Sequence, residues 1–485
     1  MASRVIGAVR RSAALAALLS FVWPGLGQGW VGKRLRAVLF AAPIILLVVV
    51  GLLTVMTQGG ARTEGLLLQP QALLGVLALN LGILLYRLMA IVDAYRLARS
   101  RWPATSTGAG RWVAAGLLVV ILAGTLGMHA GVGYVGYKTY DTIETVFHTF
   151  GRATPTPVPQ SLAPGATPTP VPTPGPTPPP RWSADGRLNV LLIGADAGPG
   201  RFSLRTDTME LLSIEMRTGR AALFGIPRNM LNTPLPDGPA DAFACRCYPD
   251  LLNSLFTYAI AHPEWFPGSE EERGYRAVQE AIQEMTGLQI DGQLVVTLNG
   301  FVRLVDAFGG IDMRAPVSVF DADYPKPEGN GHLRLWIPAG QHHFDGHMAL
   351  AYARSRHQDN DYNRMDRQQL VLLALRSQIN PCSLIVRIPE LLDIAKDSLW
   401  TNLPLDELPN LLELGARTHL NSVARYQFWP PDINEYLDTG SLTLIRQMVA
   451  HPFLPIPAST PAPSGASSAP SRATPAPTSD SDGGC

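Results

Sequence analysis

Hydrophobic positions are distributed unevenly along the 485 residues of this chain. Between about residues 36 and 135 they form three long runs, each close to the ~20 residues that a helix needs to cross a bilayer. After about residue 181 the apolar runs are short and interrupted, which is typical of strands and helices in a folded domain. The pattern predicts about three transmembrane helices followed by a globular domain. The three runs are residues 37–56, 72–92 and 112–132.

A shorter apolar segment, residues 12–30, precedes these runs and is interrupted by Pro24 and three glycines. It is either an interfacial or re-entrant piece, or the apolar part of a signal peptide behind Arg10 and Arg11. We favour the first interpretation, because uncleaved spans follow it at once.

Basic residues are concentrated before the first predicted span and between the second and the third. The loop between the first and second spans carries only Arg62. Because basic loops tend to stay in the cytoplasm, we expect a multi-pass membrane protein with a cytoplasmic N-terminus and an extracellular C-terminal domain. The basic residues are Arg4, Arg10, Arg11, Lys33, Arg34 and Arg36, then Arg96, Arg99, Arg101 and Arg111.

Composition divides the chain into five predicted parts. Residues 1–36 are a cytoplasmic or interfacial segment, and residues 37–137 are the membrane region. Residues 138–180 are a juxtamembrane segment with a Pro/Thr-rich linker, which should extend by ~3 Å per residue. Residues 181–455 are the globular domain, and residues 456–485 are an Ala/Ser/Pro/Thr-rich tail that we expect to be disordered.

The globular domain alternates irregularly between strand-like and helical patterns, which indicates a mixed α/β (α+β) fold with a central sheet flanked by helices. The strand-like run LNVLLIG (188–194) is followed by TMELLSI (208–214) and AALFGI (221–226). The last two runs are separated by a turn that contains glycine, so they predict a hairpin.

This hairpin has a consequence for three polar residues. Asp207 precedes its first strand and Arg228 follows its second, so antiparallel pairing places them side by side. If residues 188–194 also pair antiparallel with the next strand, Asp196 arrives at the same edge. The alternative is that both aspartates are ordinary turn residues.

The segment YARSRHQDNDYNRMDRQQ, residues 352–369, holds four arginines and three aspartates, although only 16% of the chain is charged and its formal net charge is zero. Arg354 and Arg356 share a face if the backbone there is extended. Arg364, Arg367 and Gln368 share a face of a helix. Guanidinium groups bind phosphate oxygens through paired hydrogen bonds, so this cluster is typical of a diphosphate site. The alternative is a surface salt-bridge lattice with Asp359, Asp361 and Asp366.

The four cysteines do not follow a zinc-ligand spacing, and they are too few for a disulfide scaffold. Outside the cell they can still oxidise. Because Cys245 and Cys247 are separated by one residue and would close a small ring, we expect either of them to pair with Cys382. Cys485 lies in the tail and receives no role.

These segments together resemble the LytR-CpsA-Psr family over about residues 188–379. The matching motifs, in order, are LLIGAD, RTDTMELLSI, GIPR, GFVRLVDAFGGID, AGQHHFDGHMALAYARSR and DNDYNRMDRQQ. The resemblance implies a magnesium-dependent phosphotransferase of the bacterial cell membrane. Its members are understood to transfer a glycopolymer from a polyprenyl-diphosphate lipid carrier to peptidoglycan. It implies the lipid-linked glycan, peptidoglycan and the membrane as partners, and no nucleic acid.

The resemblance also implies roles for individual residues. Asp196 and Asp207 match the family's aspartates for Mg²⁺. Two departures are Asn229, where the family usually has aspartate, and Leu251, where members often have a lysine two residues before an asparagine. The implied catalytic residues are Arg228, Arg354 and Arg356, and the implied substrate-binding residues are Arg205, Arg364, Arg367 and Gln368.

Two other functions remain open from the sequence. One is an envelope sensor or regulator that binds polyprenyl phosphate without turnover, and the other is a pyrophosphatase that acts on the lipid-linked donor. The sequence carries no glycine-rich phosphate loop and no basic DNA-reading segment. Covalently linked glycopolymer on purified peptidoglycan would distinguish the transferase from both.

The asymmetry of the basic loops generates a topology prediction. A reporter that works only outside the cytoplasm should be active when it is fused after Lys138 and silent when it is fused within residues 97–110, because the basic loop stays inside. The opposite pattern of reporter activity would contradict the extracellular placement of the globular domain.

Overall fold

A computed structural model describes residues 12–102, 108–147, 186–195, 206–326, 331–356, 361–378, 387–418 and 423–452. The chain divides into two compact units. The membrane unit comprises Met1–Glu144 with Leu408–Glu413, and the C-terminal unit comprises Thr145–Glu407 with Leu414–Cys485.

The membrane unit is entirely helical in its described part. Its helices are α1 (Ala13–Val22), α2 (Leu26–Trp30), α3 (Arg34–Gln58), α4 (Gly60–Leu67), α5 (Pro70–Arg101) and α6 (Gly108–Val146). Within the described residues, three of them, α3, α5 and most of α6, are long and apolar enough to cross a membrane. This confirms the three long apolar helices that the sequence predicts.

The segment at residues 12–30 folds as the two short helices α1 and α2, which pack against α5. Gly25 joins them with a positive φ of 100°, a conformation that glycine adopts without steric cost. The fully buried Gln28 donates from Nε2 to the carbonyl oxygen of Ala90 at 2.9 Å and accepts from Ser20 Oγ at 2.9 Å. Its position relative to the bilayer stays a prediction.

A six-stranded sheet in the order β11-β6-β1-β2-β3-β12 forms the centre of the C-terminal unit. Strand β1 pairs antiparallel with β2 and parallel with β6, and β2 and β3 form the predicted hairpin. The apolar run of β1 is buried on both faces, as expected for a strand covered on both sides. The strands are β1 (Arg187–Ala195), β2 (Thr206–Glu215), β3 (Ala221–Gly225), β6 (Gly292–Thr297), β11 (Leu399–Thr401) and β12 (Ala424–Gln427).

Beyond the central sheet, the described chain forms further helices and three two-stranded sheets, and residues 408–413 of the helix Leu408–Arg417 belong to the membrane unit. The helices are α7 (Leu255–Ala261), α8 (Glu270–Thr286), α9 (Leu298–Ala307), α10 (Gly346–Arg354), α11 (Asp361–Gln378), α12 (Ile388–Ser398), α13 (Leu408–Arg417) and α14 (Thr439–Ala450). The strands are β4 (Thr233–Pro234), β5 (Cys247–Tyr248), β7 (Ile311–Ala315), β8 (Val319–Pro325), β9 (His332–Ile337) and β10 (Gly340–Phe344).

Two hydrophobic cores stabilise the C-terminal unit. The first lies between the central sheet and helices α7, α8 and α14, and it includes the fully buried Leu191, Phe224 and Ile282. The second joins α9, α10 and α11 to the small sheets around Tyr352. Each such side chain contributes about 1.5–3 kcal/mol through its removal from water, so both cores hold their surrounding polar residues in place.

The sequence determines the limits of α8 through local interactions. Ser269 and Glu272 form a capping box that satisfies N–H groups at the start of the helix. Gly287 ends it in the left-handed conformation. Between them, Tyr275, Val278 and Ile282 recur at helical spacing and are buried in the first core.

A disulfide joins Cys245 to Cys247. The expectation that one of these cysteines pairs with Cys382 was therefore wrong, and Cys382 itself lies outside the described residues. Arg246, between the two, has a positive φ of 53°, and the two Cα atoms are 5.1 Å apart. That separation lies within the usual disulfide range, so the left-handed turn makes the small ring possible.

Glu210 on β2 is an acidic residue in the interior, with 1% of its surface exposed. Its Oε2 accepts from Gln369 Nε2 at 2.9 Å, whereas its Oε1 has no partner among the described residues. Burial raises the pKa of Glu210 to about 8, against the lowering effect of the Gln369 hydrogen bond. The carboxyl group is therefore protonated in the folded protein at neutral pH.

Glu210 should make stability depend on pH. Between its ordinary pKa of ~4.3 and about 8 the unfolded chain releases this proton while the folded chain keeps it, so stability should fall as pH rises through that window. Glu210→Gln should flatten this dependence and raise the melting temperature at pH 8. Thermal unfolding of the detergent-solubilised chain from pH 5 to 8.5 measures this pH dependence of stability. Glu284→Gln, at an exposed position of α8, is the control. Equal slopes of melting temperature against pH in the two variants would contradict the raised pKa assigned to Glu210.

Candidate active site

The site lies at the edge of the central sheet where β1 ends and β2 begins. Thr206, which precedes Asp207, pairs with Ala195, which precedes Asp196. Arg228 follows β3 and donates from Nη1 to Asp207 Oδ1 at 2.6 Å. The hairpin therefore brings Asp207 and Arg228 together as the sequence predicts. Asp196 and Arg205 lie outside the described residues.

Asp361, the first residue of α11, connects three arginines. Its Oδ2 accepts from Arg364 Nη2 at 2.8 Å and from Arg228 Nε at 3.3 Å. Its Oδ1 lies 3.9 Å from Arg356 Nη1. We call Arg228, Arg356 and Arg364 the arginine cluster. Three guanidinium groups face two carboxylates, those of Asp207 and Asp361, so the cluster has a net positive charge.

The three arginines differ in exposure. The side chain of Arg356 is 51% exposed, that of Arg228 16% and that of Arg364 only 5%. Asp361 does pair with arginines, as a surface lattice would require, but the burial of Arg364 is unlike a solvated surface. The cluster instead extends from solvent into the interior.

Arg364 is the buried end of this cluster. Burial lowers its pKa to about 10, which leaves it cationic at neutral pH. Its Nε is buried and has no hydrogen-bond partner among the described residues. Because buried donors are normally paired, this unused N–H marks a position where an anion would be stabilised.

Residues at or next to the two departures from the family pattern make hydrogen bonds in the site. Asn229 donates from Nδ2 to Glu435 Oε1 at 2.8 Å, and Tyr362 donates to the same oxygen. Asn253 donates to Asp207 Oδ1 at 3.4 Å and from its backbone N–H to the carbonyl oxygen of Arg228 at 3.0 Å. The sequence did not predict Asn253, Tyr362 or Glu435 as site residues. Asn253 directly follows the Leu251-Leu252 pair, which departs from the family pattern.

The described part of the site offers one carboxylate oxygen for a magnesium ion. Oδ1 of Asp207 is occupied by Arg228 and Asn253, whereas Oδ2 has no partner among the described residues. Carboxylate oxygens are the ligands that Mg²⁺ prefers. That Asp196 supplies a second one stays a prediction, since this residue lies outside the described residues. Within the described residues, no three His, Cys, Asp or Glu side chains are grouped to hold a metal.

Arg367 makes different contacts from the arginine cluster. It is 3% exposed and donates from Nε to the carbonyl oxygen of Tyr352 at 2.9 Å and from Nη2 to that of Ser355. These carbonyls belong to the end of α10, so Arg367 satisfies backbone groups there. Gln368 is also buried, next to Arg367 on α11.

Arg354 and Arg356 are positioned by strand β8, which sequence reasoning missed. The buried Asp321 accepts from Ser355 Oγ at 2.9 Å and from the backbone N–H of Arg356 at 3.4 Å with Oδ2. Arg354 is hydrogen-bonded to the Tyr324 hydroxyl. Asp321 lies two residues after the buried Val319 on β8, so the two-residue period of a strand was the signal that would have placed it inward.

Comparisons with known proteins find relatives that are named as transferases and others that are named as regulators. A protein named polyisoprenyl-teichoic acid–peptidoglycan teichoic acid transferase TagU, from Oceanobacillus iheyensis, is 28% identical over 49% of this chain and 66% of its own length. The corresponding TagV of Bacillus subtilis is 33% identical over 26% of this chain and 32% of its own. Biofilm regulatory protein A of Streptococcus mutans is 24% identical over 53% and 59%.

These alignments span at most 66% of the length of these three relatives. The crystal structure of TagV from B. subtilis has a TM-score of 0.40 and 20% identity, and it covers 56% of this chain and 99% of that one. The model of the LytR_cpsA_psr family matches residues 165–440, more than half of the sequence. The chain therefore belongs to the LytR-CpsA-Psr family.

Proposed function

We propose that this protein transfers a glycopolymer from a polyprenyl-diphosphate carrier to peptidoglycan and forms a phosphodiester link. The observation that carries the proposal is the arginine cluster, whose inner member, Arg364, is buried and has an Nε–H with no partner in the part of the chain that the structure describes. The names of the relatives TagU and TagV, both teichoic acid transferases, support the same reaction class.

The diphosphate of the donor suits the charge of the cluster. Guanidinium groups form strong, paired hydrogen bonds with phosphate oxygens, and Arg228 and Arg364 are held in position by Asp361 at 3.3 and 2.8 Å. An exposed Arg356 meets the incoming anion first, and Arg364 then contacts it in a less polar environment.

The reaction transfers a phosphoryl group that carries the glycopolymer. A hydroxyl of the acceptor attacks the phosphorus atom next to the sugar, the bond to the bridging oxygen breaks, and polyprenyl phosphate leaves. The arginines stabilise the charge that moves to the phosphoryl and leaving-group oxygens. Asp207, together with Asp196, would hold Mg²⁺, which neutralises phosphate charge when bound.

The first prediction concerns the arginine cluster. Arg356→Ala should lower transfer by about tenfold to a hundredfold, which corresponds to the ~1.5–3 kcal/mol of a hydrogen bond to a charged group. Arg356→Lys should restore only part of the activity, because lysine keeps the charge but loses the planar fork. The measurement is transfer from a purified lipid-diphosphate donor to a peptidoglycan fragment.

Arg376→Ala provides the matched control, since Arg376 lies on the same helix as Arg364 but is exposed outside the cluster. Similar losses for Arg356→Ala and Arg376→Ala would mean that the cluster has no specific role. Tight donor binding without a product would instead indicate a sensor, and polymer released into water would indicate a pyrophosphatase.

The second prediction concerns the metal. Asp207→Asn should remove the magnesium dependence of transfer together with most of the activity, because the amide cannot replace an anionic ligand. The magnesium concentration that gives half-maximal transfer checks this. Asp241→Asn, at an exposed aspartate that pairs with Arg246, should behave as the unmodified protein. An unchanged magnesium requirement in Asp207→Asn would exclude this residue as a ligand.

A further inference from the structure

Glu435 lies in the segment between β12 and α14, and its backbone is tied to the chain that follows Arg228. The carbonyl oxygen of Glu435 accepts from the N–H of Leu231 at 2.8 Å, and the N–H of Leu437 donates to the carbonyl oxygen of Leu231 at 3.0 Å. Ile433 and Leu437, on either side of Glu435, are buried in the first core. The main chain of Glu435 is therefore fixed relative to the central sheet.

The carboxylate of Glu435 contacts one residue from each of the two regions that form the site. Its Oε1 accepts from Asn229 Nδ2 at 2.8 Å and from the Tyr362 hydroxyl. Asn229 directly follows Arg228, and Tyr362 directly follows Asp361 on α11. Because Arg228 Nε donates to Asp361 Oδ2 at 3.3 Å, Glu435 adds a second connection beside that ion pair.

Tyr362 is held on two sides. Its ring packs edge-on against Trp429, with the ring centroids 5.6 Å apart at an interplanar angle of 86°. Burial, and then the hydrogen bond to Glu435, raise the pKa of Tyr362, so its hydroxyl keeps the proton and is the donor to Glu435. The first turn of α11, which carries Asp361, is thereby joined to the segment of Glu435.

The contacts of Glu435 depend on one oxygen rather than on its charge. In the described part of the chain, Oε2 has no hydrogen-bond partner, and no lysine or arginine forms an ion pair with this carboxylate. A glutamine at this position would therefore keep the accepting oxygen and direct its amide group away from Asn229 and Tyr362. Glutamine and alanine thus separate the hydrogen bonds from the charge.

We propose that Glu435 is a positioning residue, which keeps Arg228 and Asp361 at the spacing in which the arginine cluster binds a diphosphate. It acts through Asn229 and Tyr362 and does not touch the substrate. Its effect on turnover rests on the proposed transfer reaction, whereas its effect on diphosphate binding can be measured without turnover.

The first test measures the binding of inorganic pyrophosphate, with magnesium present, to the full-length chain in detergent by calorimetry. Glu435→Ala should weaken binding about tenfold, which is the size of one lost hydrogen bond. Glu435→Gln should bind within about threefold of the unmodified protein, because its oxygen still accepts both hydrogen bonds. Asp432→Ala, at an exposed position of the same segment, is the control and should bind as the unmodified protein.

Three results of this assay would overturn the proposal. Equal weakening by Glu435→Ala and Glu435→Gln would mean that the charge is required. Tighter binding by both variants would mean that the carboxylate only repels the anion. Unchanged binding by Glu435→Ala, or no pyrophosphate binding by the unmodified protein, would mean that Glu435 does not position a diphosphate site.

An exchange of donor and acceptor provides a second test, which does not depend on an alanine variant. Asn229→Asp removes the donor and places a second carboxylate against Glu435, so it should weaken pyrophosphate binding as Glu435→Ala does. Adding Glu435→Gln should restore binding, because the glutamine amide then donates to the new carboxylate while its oxygen accepts from Tyr362. A double variant that binds no better than Asn229→Asp alone would contradict the proposed role.

Transfer assays distinguish positioning from proton abstraction by Glu435. Glu435→Ala should lower kcat about tenfold, since displaced catalytic groups slow a reaction, and Glu435→Gln should keep most of kcat and the pH profile of the unmodified protein. A general base would lose its activity equally in both variants, and that result would overturn the proposal. If the unmodified protein catalyses no transfer, the proposed reaction fails, whereas pyrophosphate binding still decides the role of Glu435.

Discussion

The carboxylate of Asp361 allows three guanidinium groups to remain together at the edge of the sheet. Removing an arginine from water costs several kcal/mol unless a charge of opposite sign accompanies it. Asp361 supplies that charge to Arg364 at 2.8 Å and to Arg228 at 3.3 Å. It also begins α11, where a negative side chain interacts favourably with the helix dipole. One carboxylate thus holds the cluster together.

The remainder of the site depends on how two structural regions meet around this carboxylate. The central sheet contributes Asp207 and Arg228 through the ends of its hairpin, while α10 and α11 contribute Arg356 and Arg364. Arg367 donates to the carbonyl oxygen of Ser355 and Asp321 accepts from its hydroxyl, so the two residues fix the end of α10. The second core, around Tyr352, keeps the end of α10 against β8.

The parts of the site that follow from regular periodicity were predictable from sequence. The antiparallel pairing of the predicted hairpin places Asp207 beside Arg228, and the helical period places Arg364, Arg367 and Gln368 on one buried face. For Asp321 and Glu210 the strand period indicates at most an inward position, because β8 and β2 carry other acidic residues and the pattern does not identify their partners. Their partners, Ser355 and Gln369, are distant in sequence. The Cys245–Cys247 bond depended on the φ angle of one residue, Arg246, which no pattern specifies.

The graded exposure of the cluster has a consequence for the kinetics of anion binding. Salt screens solvent-exposed charges over about 8 Å at physiological ionic strength, but buried charges much less. Arg356, half in solvent, attracts an approaching anion at a distance, so the association rate falls when salt is added. Arg364, almost enclosed, acts on an anion that has already arrived, and it sets the dissociation rate with little influence of salt. Ionic strength therefore controls how often an anion arrives far more than how long it stays.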